Sequence, residues 1–249
     1  MAILIDVVFL PSQLQSGQLR GHAVGVFDVL RATTTMTAAL AVGVETIHLF
    51  QNVEAVRAAA AESELSPLLC GEMQCLTPPG FHLGNSPGVL GPQQAGRTIF
   101  MSTTNGTRAI LAANEAAVRF AAALVNATAV ANALVATGLP ITLLCSGTSG
   151  KISVEDVLGC GAVIESVRKL QPTVDLASDS ALLASELFLS HRSGLRSLMA
   201  RGEGGRNIIA AGLDPDIDFA AQVDSTDVVG VIVGVDAIVR KNPVTALRH

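Results

Sequence analysis

"FMSTTNGTRAIL", Phe100 to Leu111, is the stretch on which the reading of this chain turns. An apolar run stops after Met101, small and polar residues follow through Thr107, and Arg108 then leads into an apolar, helix-like pattern. A strand-to-helix junction of this kind aims free backbone N–H groups and the positive end of a helix dipole at one point, which suits an anion. The same residues also serve as ordinary helix caps, so a single occurrence does not choose between the two roles.

The pattern recurs. "AVGVFDVLRATTTMTAAL" runs from a valine-rich strand into Asp28, Arg31 and the triplet Thr33, Thr34 and Thr35, then into a helix. "ITLLCSGTSGKISVEDVLG" runs from Ile141 to Leu144 into Cys145, Ser146, Gly147, Thr148, Ser149, Gly150 and Lys151, then again into a helix. Three hydroxyl-rich turns on parallel, neighbouring strands would open on one rim of a sheet, where α/β folds place their ligands.

The pattern along the chain predicts an α/β protein, a three-layer α/β/α arrangement on a largely parallel or mixed sheet, with residues 1–249 as one domain. Strands are expected at Ile3 to Phe9, Ala23 to Phe27, "ETIHLF", "PLLCGE", Thr98 to Met101, "AVRFAA", "ITLLC" and Val228 to Gly234. Helices are expected between most of them, the longest over Ile152 to Leu170, with a break at Gly202 to Gly205 in a later helical segment. Two early strand-helix-strand steps predict parallel pairing. Met73 to Gly96, rich in proline and glycine, reads as a long functional or mobile loop.

Composition removes several classes of function. Hydrophobic residues make up 49% of the chain and charged residues 15%, which excludes disorder. The absence of Tyr and Trp and a net charge of −5 argue against nucleic acid as a partner. No long uninterrupted apolar stretch and no basic leader is present, so no membrane partner and a cytoplasmic location are expected. Neither Cys70, Cys75, Cys145 and Cys160 nor the scattered histidines have the spacing of a metal site.

An anion pocket that also reacts needs something to activate water and to neutralise the leaving oxygen. Asp28, Glu72, Glu155 and Asp156 sit at strand ends or in polar turns, and carboxylates beside a phosphate call for a cation between them, which points to Mg²⁺. Glu155 and Asp156 equally suit the first turn of a helix. "CSGTSGK" has the spacing of the Cys-x5-Arg loop of cysteine phosphatases with Lys151 in the arginine slot, so a Cys145 nucleophile competes with a buried strand-end cysteine.

"DVLRATTT", "GFHLGNSP", "STTNGTRAI" and "SVEDVLGCG", in this order and spacing, resemble the 2-phosphosulfolactate phosphatase family of the coenzyme M pathway. The resemblance implies a Mg²⁺-dependent phosphatase that converts (2R)-2-phospho-3-sulfolactate to 3-sulfolactate and phosphate, with a small anionic phosphorylated substrate as its partner and a homo-oligomer left open. It implies Asp28, Glu72, Asp156 and Arg31 as catalytic residues, and Asp28, Glu72, Glu155 and Asp156 as metal ligands. For substrate it implies Thr33, Thr34, Thr35, Asn85, Ser86, Thr103, Thr104, Asn105, Gly106, Thr107, Arg108, Ser146, Gly147 and Lys151, with Arg206 a further nearby cation. The chain departs from the family in the long loop, where "MQCLTPPGF" replaces a basic, glycine-rich stretch and His82 replaces an aspartate. A non-catalytic anion-binding module and a metal-independent phosphatase using Cys145 are the competing readings.

Overall fold

The computed structural model describes residues 3–234 and 237–242. Its strands are β1 (Leu4–Val8), β2 (Ala23–Phe27), β3 (Thr46–Leu49), β4 (Leu68–Gly71), β5 (Thr98–Ser102), β6 (Val118–Ala122), β7 (Ile141–Cys145), β8 (Asp175–Leu176), β9 (Gly230–Val233) and β10 (Ile238–Lys241). The helices are α1 (Ala32–Ala41), α2 (Val53–Glu62), α3 (Gly106–Ala112), α4 (Ala127–Ala136), α5 (Val154–Leu170), α6 (Asp179–His191), α7 (Leu195–Arg201), α8 (Glu203–Ala210) and α9 (Asp214–Ala220). They form a three-layer α/β/α structure on one mixed, mostly parallel sheet of order β4-β5-β3-β10-β9-β6-β2-β7-β1-β8.

The early strand-helix-strand steps are not neighbour pairs, contrary to expectation. β2 pairs with β6 and β7, while β3 and β4 both flank β5. The reason is the β9-β10 hairpin, which inserts antiparallel between β6 and β3. Three successive antiparallel pairings turn β3, β4 and β5 opposite to β1, β2, β6 and β7. The turn after β5 therefore does not leave the rim used by β2 and β7.

Curvature brings it back. Helix α1 is buried along nearly its whole length, from Ala32 to Leu40, and so lies inside the core. It packs against β6, β9, β10 and α3, and its side chains Met36 and Leu40 share a cluster with Val24, Val26, Ile47, Met101 and Val239. The sheet thus wraps around α1, and α3, which follows β5, reaches β2. Gly230 permits this close wrapping, since a Cβ there would lie 2.8 Å from Val239 Cγ1 and 3.1 Å from Leu40 Cδ1.

Four threonines make such a burial tolerable because each hydroxyl bonds to a backbone carbonyl. Thr33 donates to Asp28 (2.9 Å), Thr34 to Val29 (2.7 Å), Thr35 to Asn85 (2.9 Å) and Thr37 to Thr33 (2.8 Å).

On the other face, β2 and β7 alternate as strands must, sending Phe27, Leu143 and Cys145 toward α4 and α5. Helix α5 is the longest, as expected, and α6 lies against it. The long loop between β4 and β5 contains only two 3-10 turns and is strapped along the edge strand β4. His82 N–H and Leu83 N–H both donate to the Leu69 carbonyl at 3.0 Å, and Leu69 N–H donates to the His82 ring at 2.9 Å. Such cover protects an edge that would otherwise pair with another chain.

The α5-α6 contact depends on Gly161, where a Cβ would stand 2.1 Å from the Ala184 carbonyl oxygen. Overpacking of this kind costs about 1–3 kcal/mol. Gly161→Ala should lower the urea midpoint accordingly, and an unchanged midpoint would show that the two helices do not meet this closely.

Candidate active site

Asp28 sits at the end of β2, where the chain turns into α1. Its carboxylate accepts from Ala32 N–H (3.2 Å), and its backbone N–H donates to Thr33 Oγ1 (3.0 Å). Gly106, the first residue of α3, abuts it: a Cβ there would be 2.8 Å from Asp28 Oδ2 and 2.7 Å from Ala32 Cβ. Only glycine lets the turn after β5 approach the turn after β2 this closely.

The third turn joins through two side chains. Asp156, in the first turn of α5, accepts from Val29 N–H (2.8 Å), Ser146 Oγ (3.1 Å) and Gly147 N–H (3.0 Å), tying the β2 turn to the β7 turn. Asn105 Oδ1 accepts from Ser149 N–H at 3.4 Å, tying the β5 turn to the β7 turn. The long loop is fixed by Glu72, which accepts from Cys75 N–H (3.0 Å), Thr104 N–H (3.1 Å) and Thr104 Oγ1. All three hydroxyl-rich turns therefore do meet, although not through a single rim of parallel strands.

They enclose a cavity of about 270 Å³. Of the residues expected from sequence, Asp28, Arg31, Glu72, Asn85, Thr103, Thr104 and Asn105 line it. Thr33, Thr34 and Thr35 are buried behind it on α1, Gly106 and Thr107 are buried at the start of α3, and Thr107 exchanges hydrogen bonds with Thr103. Ser86 stands behind Arg31. Ser146, Gly147 and Asp156 brace the turn from beneath, and Glu155 is buried against α8.

Arg108 is exposed on α3 and Arg206 exposed on α8, both outside the lining. Lys151 is exposed too, because "TSGK" closes a tight turn on itself: Thr148 and Lys151 exchange two backbone bonds of 2.9 Å, with Ser149 and Gly150 both at positive φ. The Lys151 ammonium lies 3.2 Å from Glu203.

Sequence reasoning did not single out Leu30, Gln74, Cys75, Thr148, Ser149, Gly204, Asn207 or Ile208 as lining residues, nor Asp216 behind the wall. Thr148 and Ser149 were legible inside the "CSGTSGK" turn, and Gly204 in the helix break. A Cβ at Gly204 would fall 2.1 Å from Glu155 Oε1, so the glycine lets α8 close onto α5.

Electrostatics dominate the site. Burial lifts the Asp28 carboxyl to about 6, with Glu72 adding to the rise and backbone N–H groups of Ala32 and Gly106 opposing it. Burial likewise lifts Glu155 to about 7, helped by Asp28 and Glu203. Asp156 is raised well above the ordinary carboxylate range by burial and by Asp28 and Glu155, against the pull of Val29 and Gly147 N–H. Asn85 Oδ1 and Glu155 Oε2 are buried without a hydrogen-bond partner among the described residues.

Among the described residues, no three His, Cys, Asp or Glu side chains are arranged to hold a metal ion together. The four expected carboxylate ligands thus do not form one coordination shell; the cavity itself offers two, Asp28 and Glu72. That pair still fits Mg²⁺, which takes oxygen ligands and is commonly held by one or two carboxylates, water and a substrate phosphate. The orphaned Asn85 oxygen in the same wall is a third oxygen donor of the right kind.

Cys145 does not belong to this chemistry. It is 0% exposed in the core between β7 and α5, its Sγ 3.5 Å from that of Cys160, and it does not line the cavity. Burial pushes its thiol well above the ordinary value, where little thiolate exists near neutral pH.

The raised carboxyls fix a pH dependence. The folded chain keeps protons on Asp28 and Glu155 that the unfolded chain releases above their ordinary values of 3.8 and 4.5. Their stabilising contribution is therefore full below about pH 4 and is lost as pH rises through about 6 and 7. In chelator, the melting temperature of Glu155→Gln should fall less than that of the unmodified chain between about pH 5 and about pH 7.5. An equal or steeper fall would contradict the assignment.

The model of the 2-phosphosulpholactate phosphatase family matches residues 8–234. A probable 2-phosphosulfolactate phosphatase of Carboxydothermus hydrogenoformans is 37% identical over 226 residues, 90% of this chain and 91% of that protein. Proteins of the same description from Deinococcus radiodurans and Pseudothermotoga lettingae are 38% and 34% identical, covering 90% and 96% of this chain and 91% and 100% of theirs. With four motifs, one continuous match and relatives spanning nearly its whole length, the chain belongs to the 2-phosphosulpholactate phosphatase family.

Proposed function

We propose that the chain hydrolyses (2R)-2-phospho-3-sulfolactate to 3-sulfolactate and phosphate with the help of Mg²⁺. The observation that carries this reading is that Asp28 and Glu72 both line a cavity whose other polar side chains, Arg31 apart, are mostly hydroxyls and amides. A site for a bare anion has no use for two carboxylates, and the one lining cation among the described residues, Arg31, is already paired with Asp216 at 2.7 Å. Positive charge has to arrive with the ligand.

The chain's own residues divide the work. Asp28 and Glu72 would hold the ion, with Asn85 Oδ1 as an auxiliary oxygen, and the ion supplies Lewis-acid polarisation of the phosphoryl group. The Asp28 carboxyl, at about 6, is mostly ionised near neutral pH and would be ready to meet a cation. Asn105, Ser149 and Asn207 present uncharged donors and acceptors from three separate elements, which orient the substrate without adding charge. Arg31 adds the remaining attraction for an acid group. The names of the relatives supply the substrate, and a cavity of about 270 Å³ suits a three-carbon ester.

The non-catalytic reading is disfavoured by the same two carboxylates, and the cysteine route by the burial of Cys145. Phosphate release from 2-phospho-3-sulfolactate should require a divalent cation and vanish reversibly in chelator; full turnover after metal removal would overturn the proposal. Asp28→Asn should lower kcat about 100-fold or more, as expected when a group acting on developing charge is lost. Cys145→Ser should keep most activity with some loss of stability, and a collapse of kcat in a folded Cys145→Ser protein would restore the thiol as nucleophile.

A further inference from the structure

Arg31 is 3% exposed and yet lines the cavity. A buried guanidinium needs a partner, because desolvation of an unpaired charge is costly. The partner is Asp216 on α9, itself 5% exposed, with Arg31 Nη1 donating to Asp216 Oδ2 at 2.7 Å. Ser86 closes the group: Nη1 also donates to Ser86 Oγ at 3.1 Å, and the serine hydroxyl donates to the same Asp216 oxygen at 2.8 Å. On the other side Nη2 donates to the Cys75 carbonyl at 2.6 Å.

The guanidinium carries five N–H donors in a rigid fork. Three are committed to Asp216, Ser86 and Cys75, so the plane of the fork is fixed from three chain segments. The Nε–H and one Nη2–H make no bond among the described residues. Those two donors are what Arg31, as a residue of the cavity wall, can offer a ligand. α9 lies far along the chain from the motifs that mark the site, and its only buried carboxylate is the one on Arg31.

We propose that Asp216 is a positioning residue: it locks the Arg31 fork so that its two uncommitted N–H groups face an acid group of the substrate. It also cancels the arginine's charge at short range, so that Arg31 selects by direction and the carboxylates retain their demand for a cation. The substrate half of this proposal rests on the phosphatase reading above; the orientational half does not.

The test combines kinetics with a readout that needs no substrate. With 2-phospho-3-sulfolactate and Mg²⁺, Asp216→Asn should raise KM roughly tenfold with a smaller change in kcat, and Asp216→Glu should recover part of the loss. Arg31→Gln should raise KM at least as much, and adding Asp216→Asn to it should change KM by less than about twofold, since a residue acting through another has nothing further to lose. Independent, multiplying effects of the two substitutions, or unchanged constants in Asp216→Asn, would overturn the proposal. Should Asp216→Asn fail to fold, Ser86→Ala removes one bond of the same network and should raise KM roughly threefold; no change would count against it. In parallel, the Arg31 Nη–H resonances, assigned with Arg31→Lys, should show slow exchange by rotation about the Nε–Cζ bond in the unmodified protein and fast exchange in Asp216→Asn or Ser86→Ala. Equal exchange rates would overturn the positioning role, whereas absence of turnover in the unmodified protein would overturn only the phosphatase reading.

Discussion

Repulsion among carboxylates is the constraint on which this structure depends. Asp28, Glu155 and Asp156 are all buried; Asp28 raises the proton affinity of both others, and Glu155 adds to that of Asp156. Like charges in a poorly solvated site are tolerated only if something opposite is supplied. Part of the supply is backbone: N–H groups of Val29, Ala32 and Gly147 point at these oxygens. That is why three strand-to-helix turns converge there, and why glycines stand at 106 and 204, where a Cβ would collide with a carboxylate oxygen.

The fold is arranged to make this convergence available. An inserted antiparallel hairpin reverses β3, β4 and β5, and a threonine-rich helix whose hydroxyls all find carbonyls lets the sheet wrap around it. The turn after β5 arrives opposite β2 by curvature rather than by strand order. Helices α8 and α9 then close the remaining side, α8 by contributing to the cavity wall and α9 through the ion pair on Arg31. The far part of the chain is thus a wall of the site rather than packing laid over a finished sheet.

Much of this was legible in the residues. Strand β2 and its delivery of Asp28, the length of α5 and a helix break beginning at Gly202 follow from periodicity and glycine placement, although Gly204 and Gly205 lie inside α8 rather than in the break. Sheet order was not, because whether β9 and β10 insert between β6 and β3 is decided by packing against α1, and "IVRK" is too short to announce a strand. Seven site residues were placed in the cavity wall, but Thr33, Thr34 and Thr35 were read as ligands when their hydroxyls go to carbonyls; a threonine near a helix start suits either use. Asp216 was missed since an acidic residue after a proline in "DPDIDF" looks like an ordinary first-turn residue. Only the fold shows that it faces Arg31.

On the proposed phosphatase reading, the site's carboxylates exchange protons for a divalent cation. Titration of Mg²⁺ into the metal-free protein at about pH 6, by calorimetry in two buffers of different ionisation enthalpy, tests it directly. The account predicts binding accompanied by net release of protons, with both binding and release much reduced in Asp28→Asn. Failure to bind, or binding with no protons released, would contradict it.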